Sequence, residues 1–316
     1  LREVDVLLWN WSHGYPEDQL IARQVLTGVE SWGIVVFPDA STSWHYDVKI
    51  AQKYMLEAVG APRVPTYVFV DEREALRWVQ TTAYPKVFKL RSGAGSANVR
   101  LVTTAKEATK LCGEMFSRGG KAVTPGYMSD FRRKIESTTG LRHFLTKVQR
   151  MPGAVLSIRH QRRLMPRQQG YVYFQDYVPG NTHDTRVVAI GGRAFAFRRM
   201  NRPGDFRASG SGNIVYDPGL IDPRCIRIAL KVTADLGARC LAFDFVTDDA
   251  QGPLIVEVSY TFVAGAFHGC PGYWDDCLTW HEGQFWPQDL ILHDLLAALG
   301  HRAARSGSER RGTNRQ

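Results

Sequence analysis

Long apolar runs are missing from this sequence. No window reaches the roughly 18 to 20 uninterrupted apolar residues that a membrane-spanning helix needs. The N-terminus lacks the charged and then apolar layout of a signal peptide. Cysteine is also scarce, and the five residues form an odd, scattered set that is typical of a reducing compartment rather than of a disulfide framework. We therefore expect a soluble, cytoplasmic chain without a membrane span.

The apolar content that is present is enough for a large core. The chain has 316 residues, of which 44% are hydrophobic, and this size is typical of two or three lobes. Short β-rich runs at residues 3–10 and 33–38 flank a predicted helix at 17–31, which indicates an α/β lobe of about 80 residues. A second amphipathic helix is predicted from Asp47 to Val59, ended by Gly60.

Positive charge is concentrated in one part of the chain. The formal net charge is +9, and residues 131–170 hold ten Lys or Arg against one acidic residue. The tail from residue 301 is also basic, so the remainder is mildly acidic. This distribution is not that of a protein that coats duplex DNA, and the segment lacks the aromatic interleaving of a single-strand binder. Nucleic acid is therefore not an expected partner. A solvated basic face and a surface for an anionic acceptor or for nucleotide phosphates both remain open.

Two carboxylates lie in a predicted β-hairpin in the last third of the chain. The runs LAFDFV and LIVEVSY are apolar strands joined by turn residues. If the hairpin closes symmetrically between Ala250 and Gln251, Asp244 lies directly opposite Glu257. Two carboxylates that lie directly opposite each other on paired strands repel each other unless a proton or a hard cation such as Mg²⁺ lies between them. The pattern is equally compatible with both side chains pointing to solvent.

A glycine-rich loop between two predicted strands is a candidate phosphate site. In the stretch from Pro85 to Val102, Lys89 lies near the end of the first strand, and the loop holds Gly93, Gly95 and Ser96. Small residues let successive backbone N–H groups turn toward one point, and the lysine adds a positive charge beside it. A flexible hairpin loop with an unrelated lysine nearby has the same pattern, so both interpretations are open.

A second hairpin is predicted at the Gly-Gly dipeptide of residues 191–192. In that register Asp184 lies opposite Arg199, and Arg186 emerges on the same face. Two arginines on one sheet face need an anion or an acidic partner, and Asp184 meets only part of that demand. The following loop contains Arg207 and is predicted to be functional, because long structureless loops in compact domains usually are.

Other segments connect and flank these hairpins. An apolar strand from Tyr171 to Val178 ends at a Pro-Gly dipeptide, a natural hinge between lobes whose backbone groups could face an adenine edge. Helices are predicted from Asp222 to Leu236 and from Gln288 to Leu299. The tail at 301–316 is expected to be disordered.

The segment at residues 261–287 is rich in Trp, Gly and His. We interpret it as a packed aromatic segment that covers one end of the fold. The alternative is a zinc site, although the ligand spacing matches no standard pattern. Its ligands would be His268, Cys270, Cys277 and His281.

The order of these motifs resembles the ATP-grasp superfamily, and most closely its RimK-type and glutathione-synthetase-like ligases. DVKIAQKYMLEAVGAPRVP is similar to the family's helix before the ATP site, and PKVFKLRSGAGSANV is similar to its lysine strand and phosphate loop. YFQDYVPG looks like the linker that reads adenine, and DTRVVAIGGRAFAFRR with GDFRASGSG looks like the arginine block. FDFV followed by IVEVS resembles the metal-binding Asp and Glu. The resemblance extends from Asp47 to Tyr260.

This resemblance implies an ATP-grasp fold of the α+β and α/β class, in which an N-terminal α/β lobe precedes two α+β lobes that clamp ATP. We accordingly expect an N-terminal α/β domain at residues 1–83 and a central ATP-grasp lobe at 84–180, with the basic segment 131–170 as an insert. A C-terminal lobe with the metal site is expected at 181–300, followed by the tail at 301–316.

The resemblance also implies a role for each candidate residue. The nucleotide would be bound by Lys49, Lys89, Gly93, Gly95, Ser96, Gln175, Asp176, Tyr177, Val178 and Asp184. The transferring phosphoryl group would be surrounded by Arg186, Arg199 and Arg207. Mg²⁺ would be ligated by Asp244, Glu257 and Ser259. The family usually has Asn at the position of Ser259, which puts a second Mg²⁺ in doubt.

The implied activity is that of an ATP-dependent carboxylate–amine ligase with ATP and Mg²⁺ as cofactors. The acid would be activated as an acyl phosphate and joined to the amine, with release of ADP and phosphate. A kinase for a small acceptor, and a nucleotide-responsive binding protein for an anionic polymer, are the alternatives. Small carboxylate and amine substrates are the expected partners, with an anionic sugar acid or a peptide as candidates, and a homodimer is open.

Overall fold

The computed structural model describes residues 4–11, 16–93, 98–120 and 167–313. The described chain forms three β-sheets with helices packed on them. The strands are β1 (Val6–Leu8), β2 (Val35–Phe37), β3 (Thr66–Phe69), β4 (Lys86–Lys89), β5 (Val99–Val102), β6 (Val172–Asp176), β7 (His183–Ile190), β8 (Arg193–Met200), β9 (Ile214–Val215), β10 (Cys240–Asp248), β11 (Gly252–Ser259), β12 (Gly272–Trp274) and β13 (Trp280–Glu282).

The helices vary widely in length. They are α1 (Pro16–Ser31), α2 (Ala40–Ser43), α3 (Lys49–Ala58), α4 (Glu72–Thr81), α5 (Ala105–Phe116), α6 (Pro223–Asp235), α7 (Ala264–His268) and α8 (Pro287–Thr313), with one 3-10 turn at Pro218–Leu220. None of these described helices is long and apolar enough to cross a membrane.

The first sheet confirms the predicted β-α-β opening. Strands β1 and β2 pair in parallel, and α1 connects them. Helix α1 buries Ala22, Leu26 and Val29, which recur at the spacing of one helical face. This unit packs into the same core cluster as the sheet that carries the predicted metal site.

The second sheet has four strands in the order β3-β6-β4-β5. Its first strand, β3, begins at Thr66, so the sheet starts before the predicted lobe boundary at residue 84. Helices α4 and α5 begin at side-chain caps, where Asp71 accepts from the backbone of Glu74 and Thr104 accepts from that of Glu107. These caps define where the chain leaves a strand and becomes helical.

The third sheet has seven strands in the order β11-β10-β7-β8-β12-β13, with β9 paired to β8. Gly191 and Gly192 both have positive φ, at 49° and 81°, and they form the predicted two-residue turn between β7 and β8. Helix α6 starts at the cap Asp222 and packs its fully buried Ile226 and Ala229 in the core. Together these elements fix the register of the strands that hold the arginines.

Helix α8 is longer than predicted. Its backbone remains helical to Thr313, so the prediction of a disordered tail is wrong for residues 301–313. Alanine and arginine are frequent just beyond residue 300, and both are strong helix formers.

Candidate active site

Asp244 and Glu257 face each other on the paired strands β10 and β11, as predicted. The predicted symmetric closure of the hairpin is wrong, because the pairing shifts by one residue directly after Asp244 and ends with Asp248 opposite Gly252. The shift leaves Val256 as the extra residue of a β-bulge. The bulge restores the carboxylate pairing that a different turn would otherwise have moved out of register.

Two arginines from neighbouring strands neutralise Asp244. Arg186 Nη1 donates to Asp244 Oδ1 at 2.7 Å, and Arg199 Nη2 lies 2.9 Å from Asp244 Oδ2. Arg199 also binds both carboxylate oxygens of Asp184, at 2.8 and 2.6 Å. Asp244 therefore supplies the acidic partner that Asp184 alone does not provide. This contact arises because β10 pairs with β7 on the side opposite β8.

The pKa values of Asp244 and Asp184 are shifted in opposite directions by the balance between burial and these arginines. Burial by itself raises the pKa of Asp244, but the Coulomb attraction of Arg186 and Arg199 is stronger, so this pKa falls below its ordinary value. At Asp184 burial is the larger effect, and Arg199 offsets only part of it, so the pKa rises to about 6. Asp244 is therefore a permanent negative charge at neutral pH.

Two lysines from outside the hairpin reach the strand that carries Glu257. Lys49 Nζ lies 3.1 Å from Glu257 Oε1, and Lys89 Nζ donates to the carbonyl of the bulge residue Val256 at 3.5 Å. Both lysines are 4% exposed. Burial lowers the pKa of Lys89 to about 8, although the attraction of Glu257 opposes this. Burial raises the pKa of Glu257, but Lys49 and Lys89 outweigh it and lower that pKa.

The start of the glycine-rich loop is held by Asp47, which precedes α3, and by Lys49, the first residue of α3. Asp47 Oδ1 accepts from the backbone N–H of Gly93 at 2.7 Å, and Lys49 Nζ donates to the Gly93 carbonyl at 2.8 Å. Asp47 has a φ of 54°, a left-handed conformation that Asp tolerates better than most residues. The sequence analysis missed this role, although an Asp two residues before a candidate phosphate lysine was a visible signal. Gly95 and Ser96 lie outside the described residues.

The strand predicted to read adenine, β6, lies against the carboxylate hairpin. Gln175 is buried, and its Nε2 donates to Thr66 Oγ1 at 3.2 Å and to the Val256 carbonyl at 3.4 Å. The Asp176 carboxylate is bound by Lys86. The predicted contacts of Asp176 with a nucleotide therefore depend on its backbone.

Ser259 and Arg207 make contacts that the sequence did not indicate. Ser259 Oγ accepts from the backbone N–H of Thr261 at 3.1 Å, so one lone pair of the predicted metal ligand is already used. The Arg207 guanidinium binds Asp205 and donates to the carbonyl of Val99 at 3.4 Å. Arg207 thus connects the loop after β8 with the strand that follows the glycine-rich loop.

Two cavities meet at the facing carboxylates, and Asp244, Glu257 and Ser209 line both. The smaller cavity, about 120 Å³, lies between the second and third sheets. Its walls include Lys89, Gln175, Asp176, Tyr177, Val178, Asp184 and Arg207. The larger, about 510 Å³, is bounded by the N-terminal segment and the third sheet. Its walls include Trp11, Tyr46, Asp47, Arg186, Arg199 and Ser259.

The cavities separate the predicted residues into two groups. Six of the residues predicted to bind the nucleotide line the smaller cavity together with Arg207, whereas Arg186, Arg199 and Ser259 line the larger one. The six are Lys89, Gln175, Asp176, Tyr177, Val178 and Asp184. Lys49 lines neither cavity and instead contacts the Glu257 carboxylate and the Gly93 carbonyl. The sequence analysis did not identify Trp11, Tyr46 or Ser209, because contacts between distant segments leave no local pattern.

The donor set fits a hard divalent cation. Asp244 and Glu257 are carboxylates on adjacent strands, and both open onto the two cavities. Mg²⁺ is commonly bound by one or two carboxylates together with substrate phosphates and water. The arginines and lysines around the pair keep both carboxylates ionised, as metal ligation requires.

The structure describes little of the basic segment 131–170 and all of the Trp-rich segment 261–287. Most of the basic segment 131–170 lies outside the described residues, which resume at residue 167. In the Trp-rich segment, Cys270 is buried and Cys277 is exposed, and His268 stacks on Trp286 with ring centroids 3.9 Å apart. The described part of the chain does not bring the four candidate zinc ligands together. Aromatic packing is therefore the interpretation that the structure supports.

A fold in which two sheets enclose a cleft between a lysine strand and facing carboxylates defines the ATP-grasp class. The sequence pattern of the RimK-like ATP-grasp domain matches residues 132–263. The match covers 132 of the 316 residues, about two fifths of the chain, and this part resembles the RimK-like ATP-grasp domain, as the sequence predicts. No curated protein sequence matches the chain.

Solved structures share the fold at low sequence identity. The ATP-grasp ligase PsnB, complexed with a minimal precursor, is 16% identical with a TM-score of 0.50, over 89% of this chain and 70% of that one. An ADP complex of N5-carboxyaminoimidazole ribonucleotide synthetase is 11% identical with a TM-score of 0.51, over 84% of this chain and 56% of that one.

A third similar structure is the biotin carboxylase domain of 2-oxoglutarate carboxylase from Hydrogenobacter thermophilus, solved with MgADP, ADP and bicarbonate. It is 14% identical with a TM-score of 0.50, over 82% of this chain and 49% of that one. These similarities confirm the predicted ATP-grasp fold.

Proposed function

We propose that the chain activates a carboxylic acid with ATP as an acyl phosphate and joins it to an amine. The observation that carries this proposal is that Asp244 and Glu257 line both cavities. A nucleotide in the smaller cavity and an acid in the larger one would therefore meet at the same pair of carboxylates.

In the proposed complex the nucleotide lies between the second and third sheets. The backbone of residues 175–178 would face adenine, and Lys89 would face the phosphates, since these residues line the smaller cavity. The described walls enclose about 120 Å³, which is below the roughly 300 Å³ at which ligand pockets usually begin. Nucleotide binding would therefore require this cleft to be wider than it is here.

The central electrostatic problem is the attack of one anion on another. A carboxylate oxygen of the acid would attack the γ-phosphorus, and the bond from that phosphorus to the β–γ bridging oxygen would break as ADP leaves. Arg186 and Arg199 lie on the acid side, and Lys89 lies on the nucleotide side. Fixed positive charges at these positions would stabilise the negative charge that spreads over the transferring group.

The second step forms the amide. The amine nitrogen would attack the acyl carbon, lose a proton and expel inorganic phosphate. Mg²⁺ held by Asp244 and Glu257 would supply further neutralisation of the phosphate charge. Ser259 remains a candidate for an additional ligand, through the lone pair that Thr261 does not use.

We also propose the predicted lobe boundaries, with the second lobe beginning at β3 rather than at residue 84. Support comes from the apolar cluster of the second sheet, which is separate from the clusters that the first and third sheets share. The nucleotide cleft would lie between the second and third sheets.

Glu257→Gln tests the proposal. It removes the charge that would hold the cation, so we expect ADP formation with a mixture of acids and amines to fall by about 100-fold or more. Glu282→Gln, at an exposed position on β13, is the matched control and should behave as wild type. Unchanged ADP formation in Glu257→Gln would rule out the catalytic proposal. Trapping an acyl phosphate with hydroxylamine separates ligation from transfer to an alcohol.

A further inference from the structure

The larger cavity has the size of a site for a small molecule. Its volume of about 510 Å³ lies within the roughly 300–1,000 Å³ of typical ligand pockets. The N-terminal segment supplies Trp11 and Tyr46 on one side, and the third sheet with the segment after β11 supplies the other. Under the proposed function this cavity holds the acid, and the inference drawn from its walls rests on that function. The chemistry of the walls specifies which acid would bind.

The charged residues of the cavity lie at its inner end and bind one another or the backbone. Arg186 and Arg199 bind Asp244, Glu257 binds Lys49, and Asp47 binds the Gly93 amide. This end faces the smaller cavity, because Asp244 and Glu257 line both. It is the place where the reacting carboxylate would lie.

The outer wall is apolar. Phe267 packs against Phe197 and Phe262, with ring centroids 4.7 and 5.2 Å apart. Ile214 and Ala266 pack against the same cluster and also line the cavity. None of these five residues carries a charge or a hydrogen-bonding side chain.

Aromatic rings also form the opposite wall. Trp11 and Tyr46 meet edge to face with ring centroids 5.5 Å apart, and both belong to a buried core cluster. The Tyr46 hydroxyl already accepts a hydrogen bond from Thr261 Oγ1 at 3.3 Å. Gln52 likewise uses both ends of its amide, toward the backbone of His45 and Val258. Tyr46, Gln52, Ser259 and Thr261 therefore use hydrogen bonds within the protein, whereas Asn10 and Ser209 are the other neutral polar side chains on the walls.

We infer that the larger cavity selects an acid whose body, beyond the carboxylate, is uncharged and apolar, with an aromatic or branched aliphatic group. A polyhydroxylated body such as that of a sugar acid would lose hydrogen bonds to water and gain few in return. An apolar body gains free energy in proportion to the surface that these walls remove from water. The sugar acid left open by the sequence is thus disfavoured.

The test compares two monocarboxylates that each carry one six-membered ring. 3-Phenylpropanoate and D-glucuronate are titrated into the full chain with saturating ADP and Mg²⁺, and binding is followed by ligand-observed NMR. We expect 3-phenylpropanoate to bind at least about tenfold more tightly, because only its ring is compatible with the apolar walls.

Variants locate the effect in the outer wall. Phe262→Ala should weaken 3-phenylpropanoate by about tenfold and leave glucuronate and ADP unchanged. Val263→Asn, at a 74% exposed residue that lines the cavity, should have a smaller effect in the same direction without risk to the core. Val70→Asn is the matched control, since Val70 is 77% exposed and lines neither cavity.

The outcomes distinguish the inference from the function on which it rests. Normal ADP binding with glucuronate binding as tightly as 3-phenylpropanoate, or with neither acid binding, overturns the apolar inference and leaves the proposed function standing. A preference for the aromatic acid that persists in both Phe262→Ala and Val263→Asn overturns it as well. Failure of ADP with Mg²⁺ to bind refutes the proposed function, and the inference fails with it.

Discussion

Lys89→Met is expected to stabilise the free protein while it weakens nucleotide binding. The Lys89 side chain is buried, and burial lowers its pKa from 10.5 to about 8 even though Glu257 attracts its charge. A difference of that size corresponds to roughly 3 kcal/mol between the charged and neutral forms. Methionine has a similar length and no charge. Because structural relaxation absorbs part of the difference, we expect a gain of about 1–3 kcal/mol in the free energy of unfolding at neutral pH.

The pH dependence gives this prediction a sign. Since the pKa of Lys89 is lower in the folded state, the unfolded chain binds more protons between pH 8 and 10.5. The free energy of unfolding contributed by Lys89 therefore rises over this interval. The advantage of Met over Lys should be complete below pH 8 and should vanish as the pH approaches 10.5. Urea unfolding at several pH values measures it directly.

Nucleotide binding should change in the opposite direction. Loss of a hydrogen bond between a lysine and a phosphate removes roughly 1.5–3 kcal/mol, which corresponds to about a 10- to 150-fold weaker affinity for ADP. Lys106→Met, on the exposed surface of α5, is the control for general effects of removing a lysine. Wild-type ADP affinity in Lys89→Met, or a loss of stability at neutral pH that the control does not share, would refute the reasoning.

Two further substitutions probe the contacts around the facing carboxylates. Asp47→Gly removes the hydrogen bond to Gly93 but suits a positive φ, whereas Asp47→Ala also adds left-handed strain, so melting experiments should find Ala less stable than Gly by about 1 kcal/mol. ADP affinity should fall in both, and equal stability of the two would contradict the backbone argument. Arg199→Met leaves Asp184 buried without its guanidinium and should lower the free energy of unfolding by about 3–5 kcal/mol in urea titrations. Asp184→Asn in the same chain should recover part of this loss, and no recovery would show that Asp184 is not the cause.

The local pairings were predictable because short-range rules determine them. Opposition of Asp184 and Arg199 follows from a two-residue Gly-Gly turn and the alternation of side chains along a strand. The pairing of Asp244 with Glu257 was predicted for a partly wrong reason. The turn differs from the one assumed, and the bulge at Val256 compensates for it. Bulges depend on contacts with neighbouring strands, so the sequence of one hairpin does not reveal them.

The cavities could not have been predicted in this way. Lys49 reaches Glu257, and Trp11 lines the same cavity as Phe262, although each pair is far apart in the chain. Such contacts depend on how the sheets pack, and the periodicity of a single strand or helix carries no information about that packing.

By itself the sequence determined the facing carboxylates and the paired arginines, because turn chemistry and strand alternation act over a few residues, and the order of its motifs indicated the class of fold through a family resemblance. Only the tertiary structure decided which charges neutralise one another, that Asp47 holds the glycine-rich loop, and that aromatic walls surround the acid site. These depend on long-range packing, where burial sets both the strength of each charge and the chemistry of each wall.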